Sequence, residues 1–296
     1  MITVIGSINL DLIADVVRLP GPGETIPGHA FRTAPGGKGA NQALAARRAG
    51  SDARMVGAVG KDAFAGEALS LLKAGGVDLS KVAETDQPTG VALILVGGDA
   101  ENMIAVVPGA NGTVHEGAVL NAFGQGGVVL LQHEIPLETV KSALLHARKA
   151  GCTSVLNTAP FRAEAADFLA DADYLVANET EFDLYAKEMK LPGDSREERM
   201  GAYVRMTGRT VIVTLGGDGV VAQTPAGRLS VPAMKITPVD TVGAGDTFCG
   251  YLGDGLARGL PLEQALRRAS VAGSLACLKP GAQPSIPTDA EVAACL

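Results

Sequence analysis

The chain has 296 residues, 47% of them hydrophobic, with 32 acidic against 25 basic side chains, no tryptophan and 4% aromatics. That is enough apolar material for a large core, while a net charge of −7 and the lack of stacking residues exclude a nucleic-acid surface. Four scattered cysteines without C-x-x-C, four histidines without H-E-x-x-H, a start without basic residues and no apolar run of spanning length read as a cytoplasmic protein with buried thiols, no zinc site and no membrane contact.

Ile2 to Ile5 is a short apolar run ending at Gly6 and predicts a buried strand. Ser7 to Ile13 then alternates polar and apolar, which predicts a strand with one open face from which Asn9 and Asp11 project together. A carboxylate beside an amide suits a polyhydroxylated ligand; it equally suits an ordinary solvated strand face. Pro20 to Gly28 is a turn-rich loop. Pro35 to Ala43 leads into a predicted helix, Asn41 to Arg48, that stops at Gly50. This stretch imitates a P-loop, but Arg32 stands where a Walker A motif needs glycine and Gly39 where it needs Ser or Thr. The first strand also lacks G-x-G-x-x-G, so a dinucleotide site is unsupported. Gly36-Gly37 before a helix start, with Lys38 and Asn41, fits a hydroxylated or anionic ligand, or a plain tight turn.

Arg54 to Val59 predicts a strand, and Asp62 to Ala74 a helix with Phe64, Ala68 and Leu71 on one face, closed by Gly75-Gly76. Gly90 to Val96 and Asn102 to Val107 predict a hairpin joined by Gly97-Gly98-Asp99-Ala100. It interrupts the βα alternation and joins the strand from Asn9 to Val17 in a small separate sheet. From Val128 the pattern becomes regular. Strands are predicted at Val128 to Gln132, Ser154 to Leu156, Tyr174 to Ala177 and Thr210 to Thr214, with helices at Leu137 to Lys149 and around Ala163 to Ala170. Such alternation implies an α/β fold with a mostly parallel sheet covered by helices on both faces. Ligands bind beyond the carboxyl ends of these strands. Glu134, Asn178, Glu181, Thr214, Gly216 and Asp246 all fall there; each alone also reads as a cap or turn residue, and their common address is the stronger signal.

The last stretch with chemistry is Asp240-Thr241-Val242-Gly243-Ala244-Gly245-Asp246-Thr247-Phe248. Upstream, Leu229 to Val239 reads as extended; downstream, Phe248, Leu252 and Leu256 have helical spacing. Gly243 and Gly245 therefore sit where a loop becomes a helix, whose first amides lack internal partners and carry the positive end of the dipole. That is a place for a phosphate. Asp246 puts a carboxylate beside it, which suits a base that takes the proton of an attacking hydroxyl. An N-terminal cap of Asp and Thr is the other reading, and the stretch alone leaves both open.

Gly36-Gly37-Lys38-Gly39-Ala40-Asn41-Gln42 and Asp240 to Phe248, in this order, with Asn178-Glu179-Thr180-Glu181 between them, resemble the signatures of the ribokinase, or PfkB, family of carbohydrate kinases. The likeness runs from Gly6-Ser7-Ile8-Asn9 to Gly281-Ala282-Gln283-Pro284-Ser285. It implies one kinase domain over residues 1–296, with lid strands inserted at about 9–34 and 91–107 that form a small β-sheet over the sugar. It implies transfer of the γ-phosphoryl group of ATP to a primary sugar hydroxyl, with D-ribose as the expected acceptor, and Mg²⁺ and K⁺ as cofactors. By the same resemblance Asp246 is the base, and the amides of Gly243, Ala244 and Gly245 stabilise the transferring group. Asn9, Asp11, Gly37, Lys38, Asn41 and Glu134 match sugar positions, and Ala92, Ile94 and Val106 match apolar lid contacts. Asn178, Thr214, Gly216 and Gly219 match nucleotide positions. Ser270 stands near the adenine, where relatives carry larger side chains. Glu181 matches a holder of the Mg²⁺ water shell. Asp240, Val242, Ala276, Lys279, Gly281 and Ser285 match a K⁺ loop that coordinates mostly through carbonyls. A homodimer through the lid is expected, because a small sheet exposes edges and an apolar face. Rival readings are a kinase of the same family acting on 2-deoxyribose, a nucleoside or a hexose, and a non-catalytic sugar-binding protein.

Overall fold

A computed structural model describes residues 1–99, 101–120, 122 and 124–296. Ala100, expected in the hairpin loop, lies outside the described residues. In chain order the first half holds β1 (Ile2–Ile5), β2 (Asn9–Val16), β3 (Gly28–Gly36), α1 (Lys38–Arg48), β4 (Ala53–Gly60), α2 (Ala63–Ala68), α3 (Ser70–Ala74) and β5 (Asp78–Thr85). Then come β6 (Gly90–Val96), β7 (Asn102–Val107), α4 (Glu116–Leu120), β8 (Val128–Leu131), α5 (Leu137–Lys149) and β9 (Thr153–Asn157). The last part holds β10 (Tyr174–Asn178), α6 (Glu179–Glu188), α7 (Arg196–Thr207), β11 (Thr210–Thr214), β12 (Val220–Thr224) and β13 (Gly227–Val231). It closes with α8 (Ala244–Ala257), α9 (Leu262–Ala276), α10 (Ala282–Ser285) and α11 (Asp289–Ala293).

Nine strands form the main sheet in the order β13-β12-β11-β10-β9-β8-β1-β4-β5. All neighbours from β11 to β5 are parallel; β12 runs antiparallel to β11 and β13 to β12. Alternate side chains of each strand bury on opposite faces. Ile2, Val4, Leu130 and Ile212 pack with Leu44, Tyr251, Leu252 and Leu266 of α1, α8 and α9. Ile5, Val129, Leu131 and Val213 pack with Val140, Leu144, Phe182 and Tyr203 of α5, α6 and α7. Each such aliphatic side chain contributes about 1.5–3 kcal/mol on full burial. The four-stranded second sheet has the order β3-β2-β6-β7. Only Gly6, Ser7 and Ile8 separate β1 of the large sheet from β2 of the small one. Among the described residues no helix is long and apolar enough to cross a membrane.

Several boundaries differ from expectation. The helix predicted over 62–74 is two short ones divided at Leu69, and Leu72 rather than Phe64 faces the core; Phe64 is 40% exposed. The segment around Ala163 to Ala170 forms two 3₁₀ turns, because Phe168 leaves the helical region at φ −130°. Strand β5 has only half-buried and exposed residues and so carried no apolar run. Strand β3, exposed over most of its length, likewise carried no apolar run and was expected only through the lid strands at about 9–34 that the resemblance implied. Strand β12 lies ahead of the stretch read as extended and was not expected; β13 takes in the first residues of that stretch, Leu229 to Val231, and pairing stops before Pro232, which has no amide to donate. Cys152, Cys249 and Cys277 are buried as expected, but Cys295 is exposed.

Candidate active site

Three openings meet at the start of α8. The largest, about 820 Å³, lies between the small sheet and the carboxyl ends of the main strands. Asn9, Asp11, Gly37, Lys38, Asn41, Ala92, Ile94, Val106, Glu134 and Asp246 all line it. The antiparallel register of β6 and β7 sets Ala92 opposite Val106 and Ile94 opposite Ile104, which makes its apolar wall. Asn9 is buried, and its carbonyl accepts from Asn111 Nδ2 at 2.7 Å, leaving its own amide donors for a ligand. Glu134 Oε2 accepts from Ser7 Oγ and, at 3.0 Å, from the Lys38 amide. The Asp11 carboxylate lies over Gly36, where an added Cβ would overlap it. Burial pushes Asp11 up to about 7, helped by the charges of Glu134 and Asp246 and opposed by Lys38. Lys38 itself is pulled down by burial, but the carboxylates of Asp246 and Glu134 outweigh this and hold it above its ordinary value.

Gly243 adopts φ 77° and caps α8, so the chain turns through the left-handed region that glycine tolerates. An added Cβ there would lie 2.8 Å from Ala282, so the turn is pressed against α10. The Ala244 amide lies 3.3 Å from Thr241 O; the Gly245 and Asp246 amides follow at the helix start, where no intrahelical acceptor exists. Asp246 lines both the large cavity and a second, narrow cleft of about 210 Å³ bounded by Lys38, Asn157, Asn178, Glu181 and Thr214. Its Oδ2 accepts from Asn41 Nδ2 at 2.8 Å and its Oδ1 from Gln42 Nε2 at 3.0 Å. Burial raises its pKa, against Lys38 and the two amide bonds, a shift toward the range useful to a general base. Asn178 and Glu181 form a capping box at the start of α6: the Glu181 amide donates to Asn178 Oδ1 at 2.8 Å and the Asn178 amide to Glu181 Oε2 at 3.1 Å.

The third opening, about 440 Å³, is lined by Thr214, Gly216, Gly219, Ser270 and Gly273 among others and is largely apolar. Gly219, at φ 97°, packs onto the β13 backbone. Beside the Gly243 turn, Asp240 Oδ2 accepts from the Gly281 amide at 2.8 Å and Oδ1 from the Val242 amide at 3.0 Å. This joins the two segments holding Asp240, Val242, Ala276, Lys279, Gly281 and Ser285. The Lys279 ammonium points away to Glu291 at 3.2 Å.

The profile of the pfkB family carbohydrate kinases matches residues 1–289. The chain belongs to this family. It is 38% identical to a ribokinase of Lactococcus lactis, covering 99% of this chain and 96% of that one. It is 32% identical to a deoxyribokinase of Salmonella typhimurium, covering 97% and 95%. The structure of an Arabidopsis thaliana ribokinase complexed with ribose and ATP superposes with a TM-score of 0.86 at 31% identity, covering 99% of this chain and 97% of that one.

Within this pfkB frame, every residue expected at the sugar lines one cavity, and those expected at the nucleotide divide between two. Asn178 sits in the narrow cleft rather than the apolar pocket, whereas Thr214 lines both. Reading the residues missed Asn111, Asn157, Gln132 and His133. Asn111 lies in a turn of Gly and Pro, and the rest sit at strand ends where a single polar residue looks like a boundary. His133 is buried beside the cavity, and burial pushes it down to about 4, so it stands neutral.

Proposed function

We propose that the chain is an ATP-dependent kinase of D-ribose that produces ribose 5-phosphate. The observation carrying this reading is the placement of Asp246, whose carboxylate faces both the large cavity and the narrow cleft at a helix start with open amides. Ribose and ATP as ligands are brought by the likeness to the Arabidopsis enzyme named for them. In this reading Asp11, Asn9, Asn41 and Glu134 hold the sugar hydroxyls. Asp246 then takes the proton of the primary hydroxyl as its oxygen attacks the γ-phosphorus of ATP in line. The open amides at the start of α8, with Lys38, offset charge on the transferring group. The adenine lies in the apolar pocket beside Ser270.

Among the described residues no cluster of three His, Cys, Asp or Glu could hold a metal by itself. Mg²⁺ keeps several waters and takes phosphate oxygens with one or two carboxylates; Glu181 and Asp246 are the carboxylates lining the cleft, and Glu181 is the one that would hold the water shell. Bound there, the ion would neutralise phosphate charge. The loop tied by Asp240 and Gly281 offers backbone oxygens for K⁺, and its contact with Gly243 links that ion to the order of the helix start. The rate in potassium salts is expected to exceed that in sodium salts at equal ionic strength, and equal rates would remove the cation from the scheme. The chain works as one domain in the cytoplasm. It forms a homodimer through the lid, where Phe31, Leu93, Met103 and Val107 are 47% to 69% exposed; light scattering at micromolar concentration tests this.

The deciding experiment is sugar-dependent ADP release over pentoses, hexoses and nucleosides. Ribose is expected to give the highest kcat/KM. A higher value for 2-deoxyribose or a nucleoside would move the protein within its family. No sugar-dependent turnover would leave a binding protein.

A further inference from the structure

Behind Asp246, on the side away from both openings, lie two buried carboxamides. Gln42 is 1% exposed and Gln132 0%, and neither lines the large cavity, the cleft or the apolar pocket. Gln42 Nε2 donates to Asp246 Oδ1 at 3.0 Å, with Asn157 Oδ1 more distant at 3.4 Å. Gln42 Oε1 accepts from Gln132 Nε2 at 2.6 Å. The direction of this chain follows from its end. An ionised carboxylate only accepts, so Gln42 must turn its NH₂ to Asp246 and its carbonyl to Gln132, which must turn its own NH₂ to Gln42. The last carbonyl, Gln132 Oε1, has no partner among the described residues and is pressed on Gly6, where any Cβ would overlap it. A pair of aliphatic side chains would fill this space without burying an unpaired oxygen, which is costly. The arrangement therefore serves the carboxylate rather than the core.

We propose that Gln42, oriented by Gln132, is a positioning residue for phosphoryl transfer. It fixes the Asp246 carboxylate in the plane set by Asn41 and Gln42 and favours its ionised form, while touching neither sugar nor nucleotide. Asn41 holds the other oxygen but also faces the large cavity, so only Gln42 separates positioning from binding. The inference rests on the reading of Asp246 as the base.

The test uses Gln42→Leu, Gln132→Leu and the double variant. Gln42→Leu is expected to lower kcat by about 10- to 100-fold, the scale of a misplaced catalytic group, with the KM for ribose within about twofold. The acid limb of its kcat/KM profile should move to higher pH, since a lost donor raises the pKa of Asp246. Gln132→Leu should give a smaller fall in the same direction. The double variant decides the matter: two facing leucines should recover the thermal stability lost by either single change, yet kcat should stay at the level of Gln42→Leu, because Gln132 acts only through Gln42. A double variant that regains the parent kcat along with its stability, or a Gln42→Leu protein with an unmoved acid limb, overturns the proposal. An NMR titration of the Asp246 carboxyl needs no turnover. A parent protein that phosphorylates no sugar defeats the kinase reading; an Asp246 pKa unchanged by Gln42→Leu defeats this inference whatever the substrate.

Discussion

The large cavity and the apolar pocket stand on either side of one helix start and are built from different materials. The cavity takes its character from charged and amide side chains: Asp11, Lys38, Asn41, Glu134 and Asp246. The pocket carries no carboxylate: glycines and small side chains such as Gly216, Gly219, Ala233 and Gly273 share its lining with the apolar Val220, Met234, Ile236 and Phe248, and Lys235 is its one charged residue. Side chains that hydrogen-bond a ligand discriminate by leaving themselves unpaired with the wrong one. A mostly apolar wall discriminates mainly by shape. With the acceptor in the cavity and the nucleotide in the pocket, as proposed, selectivity for the acceptor should yield to deletion and to pH, and selectivity for the nucleotide mainly to added bulk.

The strongest way to break the charged side is Asp246→Asn. On the proposed role of Asp246 it keeps the size and loses the proton acceptor, so kcat is expected to fall by about 10²–10⁴-fold while calorimetry still registers both ligands. Next comes the acceptor. A buried carboxylate that loses its donors is penalised, so the intact protein should prefer ribose to 2-deoxyribose by at least roughly 10²-fold in kcat/KM. Asp11→Ala should narrow that ratio, and equal damage on both sugars would misplace Asp11.

Acidity gives a smaller effect. With Asp11 raised to about 7, its ionised fraction drops about tenfold from pH 8 to pH 6, and the KM for ribose should rise by the same factor. The sign for stability is opposite to that of a salt-bridged carboxylate. The folded protein holds this proton from the ordinary 3.8 up to about 7, so in that window stability falls as pH rises. Asp11→Asn should therefore raise the Tm of the ligand-free protein at pH 8, by about 2 °C or more, while harming ribose use. The smallest change is on the side of the apolar pocket. Ser270→Leu intrudes there and should raise the KM for ATP by about fivefold, the weight of about 1 kcal/mol of overpacking, leaving the KM for ribose alone.

What the residues revealed by themselves follows the same division. The glycine motifs were legible because turns, helix starts and anion sites impose local demands that a short window satisfies. The parallel sheet was legible because its strands are buried on both faces and read as apolar runs. Strand β5 was not, since an exposed edge carries no such pattern, nor was β12, whose antiparallel turn back onto β11 breaks the alternation; β3, equally exposed, entered only through the lid strands that the resemblance implied. Asn9 and Asp11 were readable as neighbours on one strand. The partnership of Asn111 with Asn9, or of Gln132 with Gln42, spans about a hundred residues of chain and exists only once the fold closes.

The joint between the two sheets has a consequence for how this gene can vary. Helix α1 meets the Gly6–Ile8 crossing backbone to backbone: a Cβ on Gly39 would lie 2.6 Å from the Ser7 nitrogen, and one on Gly37 2.8 Å from that of Asn9. Every single-nucleotide missense change in a glycine codon inserts a residue that has a Cβ. No one-step mutation at Gly6, Gly37 or Gly39 then fits without shifting the backbone it meets, and with it Lys38 and Asn41 in the wall of the large cavity. These codons are open to silent change only, whereas Ser270 lines the apolar pocket, which Asp246 does not, so a change of its side chain alters the shape of that pocket and leaves the Asp246 carboxylate in place.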